Sequence, residues 1–99
     1  MARHHLASGV EAELDEIWFW IASESGNLEI ADRFIETITS RFWALARNPY
    51  LGRRRDEDLR PGLRSFPVGD YVVLYRIQEK TVLILHVIRG SRDLQSLLG

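Results

Sequence analysis

Apolar residues recur at helical spacing from early in the chain. Val10, Leu14, Ile17, Trp18 and Ile21 follow one another at steps of 4, 3, 1 and 3, which places them on one face of an amphipathic helix over residues 9–24. Ser8, with Glu11 three residues on, reads as a capping box at its start. Glu11, Glu13 and Asp15 sit near the positive end of the helix dipole. Gly26 suits the left-handed position that closes a helix, and Asn27 suits the cap of the next. A second stripe, Ala31, Phe34/Ile35, Ile38, Phe42 and Leu45, predicts a helix over 28–47. Glu29 and Arg33 form a favourable i,i+4 pair on it. Asn48-Pro49 ends it, because a residue before proline is pushed out of the α region. The short link between the two predicts an antiparallel helical hairpin.

The period then changes from 3.6 to 2. Residues 49–62 read as a loop, punctuated by Pro49, Gly52, Pro61 and Gly62 and filled by the charged run Arg53–Asp58. Leu63–Val68 reads as a strand, with Pro67 marking an edge or an end. Gly69-Asp70 turns the chain into a strand over 70–77, and Gln78-Glu79-Lys80 turns it again. Thr81–Ile88 is almost continuously apolar and β-branched, the pattern of a central strand buried on both faces. Arg92–Leu98 has length for one or two turns of helix, and residues 2–7 for a short first strand. The order β-α-α-β-β-β-α predicts an α+β domain over 1–99, with the hairpin on one face of a small, mainly antiparallel sheet. The other sheet face has no evident cover.

Composition changes this picture little. With 99 residues, 45% hydrophobic and 27% charged, the chain is an ordinary single domain and not a rod or a disordered tail. No apolar run reaches the length of a membrane span, and Met1-Ala2-Arg3-His4-His5 lacks the apolar stretch of a signal peptide. Cysteine is absent, which excludes disulfides and thiolate chemistry; the cytoplasm is the expected location. Charge is more informative. The net charge of −1 divides into −4 over residues 1–50 and +3 over residues 51–99, and Lys80 is the one cation that is not Arg. Arg favours bidentate pairing with carboxylate or phosphate, so an anionic partner is expected on the C-terminal half.

Little in the sequence suggests bond-making chemistry. No Gly-rich phosphate loop or metal-ligand cluster is present, and neither a cofactor nor a metal is expected. His4 and His5 are adjacent and would face opposite sides of a strand; His86, inside the most apolar segment, reads as a hydrogen-bonded core histidine. Ser65, Ser91 and Ser96 lack a His/Asp pattern for activation. Aromatics say more. Trp18, Phe19 and Trp20 are consecutive, so at ~100° per residue they cannot share one stripe. Trp18 falls on the core stripe, while Phe19, Trp20 and, on the second helix, Trp43 fall beside theirs. Side chains so placed either pack between the helices or form an exposed patch for a protein partner.

Three ordered stretches carry a resemblance. They are Pro49-Tyr50-Leu51-Gly52-Arg53, then Pro61-Gly62-Leu63-Arg64-Ser65-Phe66-Pro67-Val68-Gly69-Asp70-Tyr71-Val72-Val73-Leu74-Tyr75-Arg76, then His86-Val87-Ile88-Arg89-Gly90-Ser91-Arg92-Asp93. Together with Ile17-Trp18, Trp20-Ile21, Ala31, Phe34 and Ile38, this pattern resembles the RelE/ParE superfamily of toxins from bacterial type II toxin–antitoxin systems, and its ParE branch most.

The resemblance implies a toxin held inactive in a hetero-oligomer with a cognate, ParD-like antitoxin, whose N-terminal region binds DNA and whose C-terminal segment wraps the toxin. The toxin itself is then expected neither to bind specific DNA nor to enter a membrane. Trp18, Phe19, Trp20, Trp43, Arg64, Arg76, Arg89 and Arg92 are the expected antitoxin contacts. The ParE branch poisons DNA gyrase by binding, which needs no catalytic residue; Arg89, Ser91 and Arg92 are the candidate target contacts. The alternative is the RelE branch, a ribosome-dependent mRNA endoribonuclease. Arg64 and Arg92 match its phosphate-clamping positions, but Val72 stands where that branch has a further arginine and Leu98 where it often has a terminal tyrosine. Arg is a poor general base, and Tyr71 and Tyr75 read as structural.

Overall fold

The computed structural model describes residues 3–90 and 94–98. Strand β1 (Arg3–Leu6) leads into helices α1 (Val10–Ser25) and α2 (Leu28–Arg47). A 3₁₀ turn (Pro49–Leu51) then precedes strands β2 (Arg53–Arg54), β3 (Leu63–Val68), β4 (Tyr71–Gln78) and β5 (Thr81–Arg89), and a short helix α3 (Leu94–Leu98) follows. The sheet order is β1-β5-β4-β3-β2. Only β1–β5 is parallel; the other pairs are antiparallel. This is the expected α+β architecture. No helix among the described residues is long and apolar enough to cross a membrane.

The hairpin forms for the reasons its sequence suggests. Gly26 closes α1 at φ 65, and the Asn27 side chain accepts from the Glu29 and Ile30 N–H groups. The core lies between hairpin and sheet: Val10 and Ile17 of α1 and Ile38, Phe42 and Leu45 of α2 meet Val73, Tyr75, Val82, Ile84 and Val87. The other end of α1 departs from expectation. Ser8 does not cap it; Gly9 holds the cap position at φ 96, and no side chain bonds there. The chain reverses from β1 into α1 within three residues, and only a glycine turns that sharply in the left-handed region without strain.

Two further expectations are corrected. The predicted loop over 49–62 contains β2, which pairs Arg53 with Ser65 and Arg54 with Arg64. Two residues are too few to show an alternating pattern. Leu63 presents its carbonyl to this outer side, accepting from Arg55 N–H, so Pro67, four residues on and facing the same way, has its missing N–H where no strand follows among the described residues. The second correction concerns the far sheet face, which is not bare. Leu63, Leu74 and Ile88 form a second buried cluster there, covered by Leu59 from the loop and Leu94 from α3. Both covering residues lie in segments whose own pattern is not periodic, so nothing local marks them as core.

Candidate functional site

An aromatic and cationic grouping lies where α1 passes the end of the sheet. Tyr71 opens β4 and Arg89 closes β5, and antiparallel register sets them opposite each other. Trp20 projects from α1 onto the same place. The Arg89 guanidinium lies over both rings, 5.6 Å from the Trp20 centroid and 5.9 Å from that of Tyr71. A cleft of about 370 Å³ runs beside them, lined by Glu13, Glu16, Ile17, Val87 and Ile88 as well. Phe34, Gly69 and Asp70 line an adjoining depression. Burial pushes the Tyr71 phenol up, and the Arg89 charge opposes this. Trp20 is 48% exposed and its neighbour Phe19 68%, so the patch continues onto the outer face of α1.

The same cleft ends at an unusual hydrogen bond. Glu13 Oε1 accepts the Val87 N–H at 3.0 Å, and Glu13 Oε2 lies 2.9 Å from His86 Nδ1. His86 is therefore hydrogen-bonded, as expected, but it stands half-buried at a sheet margin and not in the core. The reason is length: β1 ends opposite Ile84, so the second half of β5 has no neighbouring strand on that side among the described residues.

A second, smaller corner lies at the other end of the sheet. Arg64 stacks over the exposed Tyr50 ring at 5.0 Å and donates through Nη1 to the Gly52 carbonyl at 2.7 Å. The Tyr75 hydroxyl beneath donates to the Pro49 carbonyl at 2.7 Å and accepts the Gly52 N–H at 2.8 Å. Burial drives its pKa up. Arg54 stands opposite Arg64 across the β2–β3 pair and is held by Asp56 at 2.8 Å. The Gly62 N–H and, after it, Arg54 keep the Asp56 carboxyl below its usual range.

The candidates of the sequence thus fall in different places. Trp20 and Arg89 meet, with Phe19 alongside. Trp43 is 54% exposed on α2 and packs edge-on against His4, 4.6 Å between centroids. Arg64 belongs to the Tyr50 corner. Arg76 lies across from Leu63 on the far sheet face, where its buried Nε lacks a partner. Trp18 is half-buried between the two helices and braces the hairpin, donating through Nε1 to Asp32 at 2.8 Å. Ser91 and Arg92 lie outside the described residues. Sequence reasoning missed Glu13, Tyr50 and Tyr71. The signal for Tyr71 was available, since pairing β4 with β5 from the Gly69-Asp70 turn brings it to Arg89; Glu13 gave none, because its partner is a backbone group 74 residues away.

Comparison with known proteins bears on the family and the fold. The family described as "ParE toxin of type II toxin-antitoxin system, parDE" matches residues 5–94. Toxin ParE3 of Caulobacter vibrioides is 39% identical over 90 residues, covering 91% of this chain and 88% of that protein. Toxin RelE3 of the same organism is 32% identical over 75 residues, covering 76% and 79%. A chain of the chromosomal ParDE toxin–antitoxin system from P. aeruginosa has the same fold, with a TM-score of 0.76 at 22% identity over 90% of this chain and 96% of that one.

Proposed function

Because this chain belongs to the ParE toxin family of type II toxin–antitoxin systems, we propose that it arrests growth by binding DNA gyrase, and that a cognate ParD-like antitoxin neutralises it by wrapping it. The Trp20–Arg89–Tyr71 surface carries this reading. Trp, Tyr and Arg are the residues that dominate binding energy at protein interfaces. Here Arg89 is held by two ring faces while its hydrogen-bonding edges stay available. Phe19 and Trp20 would gain burial in a complex that they lack in the free chain.

The antitoxin segment is an acidic, amphipathic one, whose apolar side chains lie against Phe19, Trp20 and Trp43 and whose carboxylates meet Arg64, Arg76, Arg89 and Arg92. Trp18 acts indirectly, by fixing the hairpin. Arg89, Ser91 and Arg92 are the gyrase contacts; sharing Arg89 between both partners makes the two bindings exclusive. The cytoplasm, where gyrase works, is the compartment this function requires.

One observation favours a RelE-type ribonuclease instead: Arg54 and Arg64 face each other across β2–β3 as a phosphate clamp would. Against it, the Tyr75 phenol beneath them has its hydroxyl engaged as both donor and acceptor, which disfavours its use as acid or base. A supercoiling assay decides. Purified toxin should block gyrase, and added antitoxin should restore it. Undiminished supercoiling together with codon-dependent mRNA cleavage on ribosomes would establish the ribonuclease.

A further inference from the structure

The sheet face away from the hairpin is covered at one end, where Leu59 and Leu94 lie over Leu63, Leu74 and Ile88. At its other end Arg3, His5 and Gln78 are exposed, and Arg76, Thr81 and Leu83 are half-buried. Register sets these residues on one face. His5 and Arg76 flank Leu83 from either side, and Arg3 and Gln78 flank Thr81. His4, between Arg3 and His5, packs on Phe42 of α2, which leaves its two neighbours on the far side. Arg53 of β2 shares the face, because it pairs with Ser65, two residues from Leu63.

The charges on this face are one-sided. Arg55 is occupied: it pairs with Asp58 at 2.6 Å and donates to the Ser65 hydroxyl at 3.0 Å. Arg53 only adds its field to the same carboxylate. The side chains of Arg3, Arg53 and Arg76 hold no hydrogen bond or ion pair among the described residues. Arg76 stands apart. Its Nε is fully enclosed without an acceptor, with Leu63 and Leu83 on the strands to either side, while its two terminal nitrogens are not enclosed. A partly desolvated guanidinium without a counter-charge is costly, and a carboxylate meeting its open nitrogens offsets that cost.

The centre of the face decides the class of partner. Leu83 lies between Arg76 and His5, which stand about 10 Å apart across two strand spacings. A partner must therefore bring an apolar group to Leu83 and acids around it. A nucleic-acid backbone has phosphates but nothing apolar to place there. We propose that this open end of the sheet is a docking surface for the toxin's target, and that it fits an acidic protein surface on gyrase: carboxylates at Arg76 and, on the outer strands, at Arg3 and Arg53, with an apolar residue on Leu83. The inference rests on the gyrase reading above and adds a second surface to the Arg89 contact. Arg76 also serves the antitoxin in that reading, so bound antitoxin withdraws the anchor from the target.

The test compares variants of the purified full toxin by gyrase supercoiling, antitoxin titration and urea unfolding. Arg3→Glu combined with Arg53→Glu changes two exposed residues. It should raise the toxin concentration for half-inhibition by at least about tenfold and leave antitoxin affinity within about twofold. Arg76→Met keeps the apolar stem and removes the charge. It should raise the half-inhibition concentration by a similar factor, while the urea midpoint stays equal or rises, because an unpaired charge has left a site between leucines. A midpoint that falls makes Arg76 a structural residue and overturns its role as anchor. Wild-type inhibition that neither variant changes by more than about twofold overturns the surface and leaves the gyrase reading intact. The same proteins are titrated into a fluorescent DNA duplex and an RNA oligonucleotide. Binding that the variants lose while they still inhibit gyrase gives the face to a nucleic acid and overturns the proposal. Wild-type toxin that leaves supercoiling intact overturns both readings.

Discussion

The Gly52 N–H donates to the Tyr75 hydroxyl at 2.8 Å, and the ring stands where a side chain at 52 would be: a Cβ there would lie 2.6 Å from the ring's Cε1 atom. Gly52 φ is −77, so space and not backbone strain requires glycine. The contact ties the 3₁₀ turn after α2 to the centre of the sheet, and it positions the carbonyl that holds Arg64.

Gly52→Ala should therefore destabilise by about 1–3 kcal/mol through overpacking. Tyr75→Phe should cost about 1–3 kcal/mol by a different route, leaving the Gly52 N–H and Pro49 carbonyl without their shared partner. Urea unfolding of each variant measures both. If the cost were additive in the double variant, the two residues would not be coupled as the geometry states.

The two tryptophans of α1 should separate in function. Trp20→Ala should weaken antitoxin binding by about 2 kcal/mol or more, as loss of an interfacial anchor does, with little effect on stability because the ring is 48% exposed. Trp18→Phe removes the bond to Asp32 and should lower stability by about 1 kcal/mol while leaving affinity unchanged. Calorimetric titration beside urea unfolding tests the pair; equal effects of both on affinity would refute the division.

Arg89→Lys keeps the charge but loses the planar group lying over Trp20 and Tyr71. It should weaken binding nearly as much as Arg89→Ala, by about 2–5 kcal/mol if the contact is desolvated in the complex. A lysine variant with native affinity would reduce Arg89 to a simple charge.

Stability should fall on mild acidification, through His4. Burial, and then the neighbouring His5, hold its pKa below the usual 6.5; its ring rests against Phe42 and Trp43, and Nδ1 lacks a partner. The unfolded chain thus takes up a proton that the folded chain resists. The contribution is fully present above pH 6.5 and is lost as pH falls from there through the depressed folded value. The urea midpoint should drop between about pH 7 and pH 5.5, and His4→Phe should flatten that slope. An unchanged slope in the variant would assign the effect elsewhere.

Elements whose signal is local were legible in the sequence. The hairpin followed from two apolar stripes and the Gly26-Asn27 pair, and β3 to β5 from a change of period between turn residues. What was not legible depends on partners far along the chain. Ser8 and Glu11 satisfy a capping pattern, yet the position of β1 forces the reversal onto Gly9. β2 exists because β3 is there to pair with it. His86 reads as core by its apolar neighbours, but β1 ends too soon to bury it. Trp20 and Arg89 were each identifiable as candidates, whereas their meeting over Tyr71, and Glu13 at the margin beside them, arise only when α1 is laid on the sheet.

The central claim, that this toxin acts by holding its target and not by turnover, is tested most directly by titrating purified toxin into a fixed amount of gyrase and recording supercoiling. Inhibition that rises in proportion to toxin and becomes complete near equimolar amounts, reversed on adding antitoxin, is the predicted result. Loss of activity at a small fraction of the gyrase concentration that deepens with time, or intact supercoiling at saturating toxin, would contradict it.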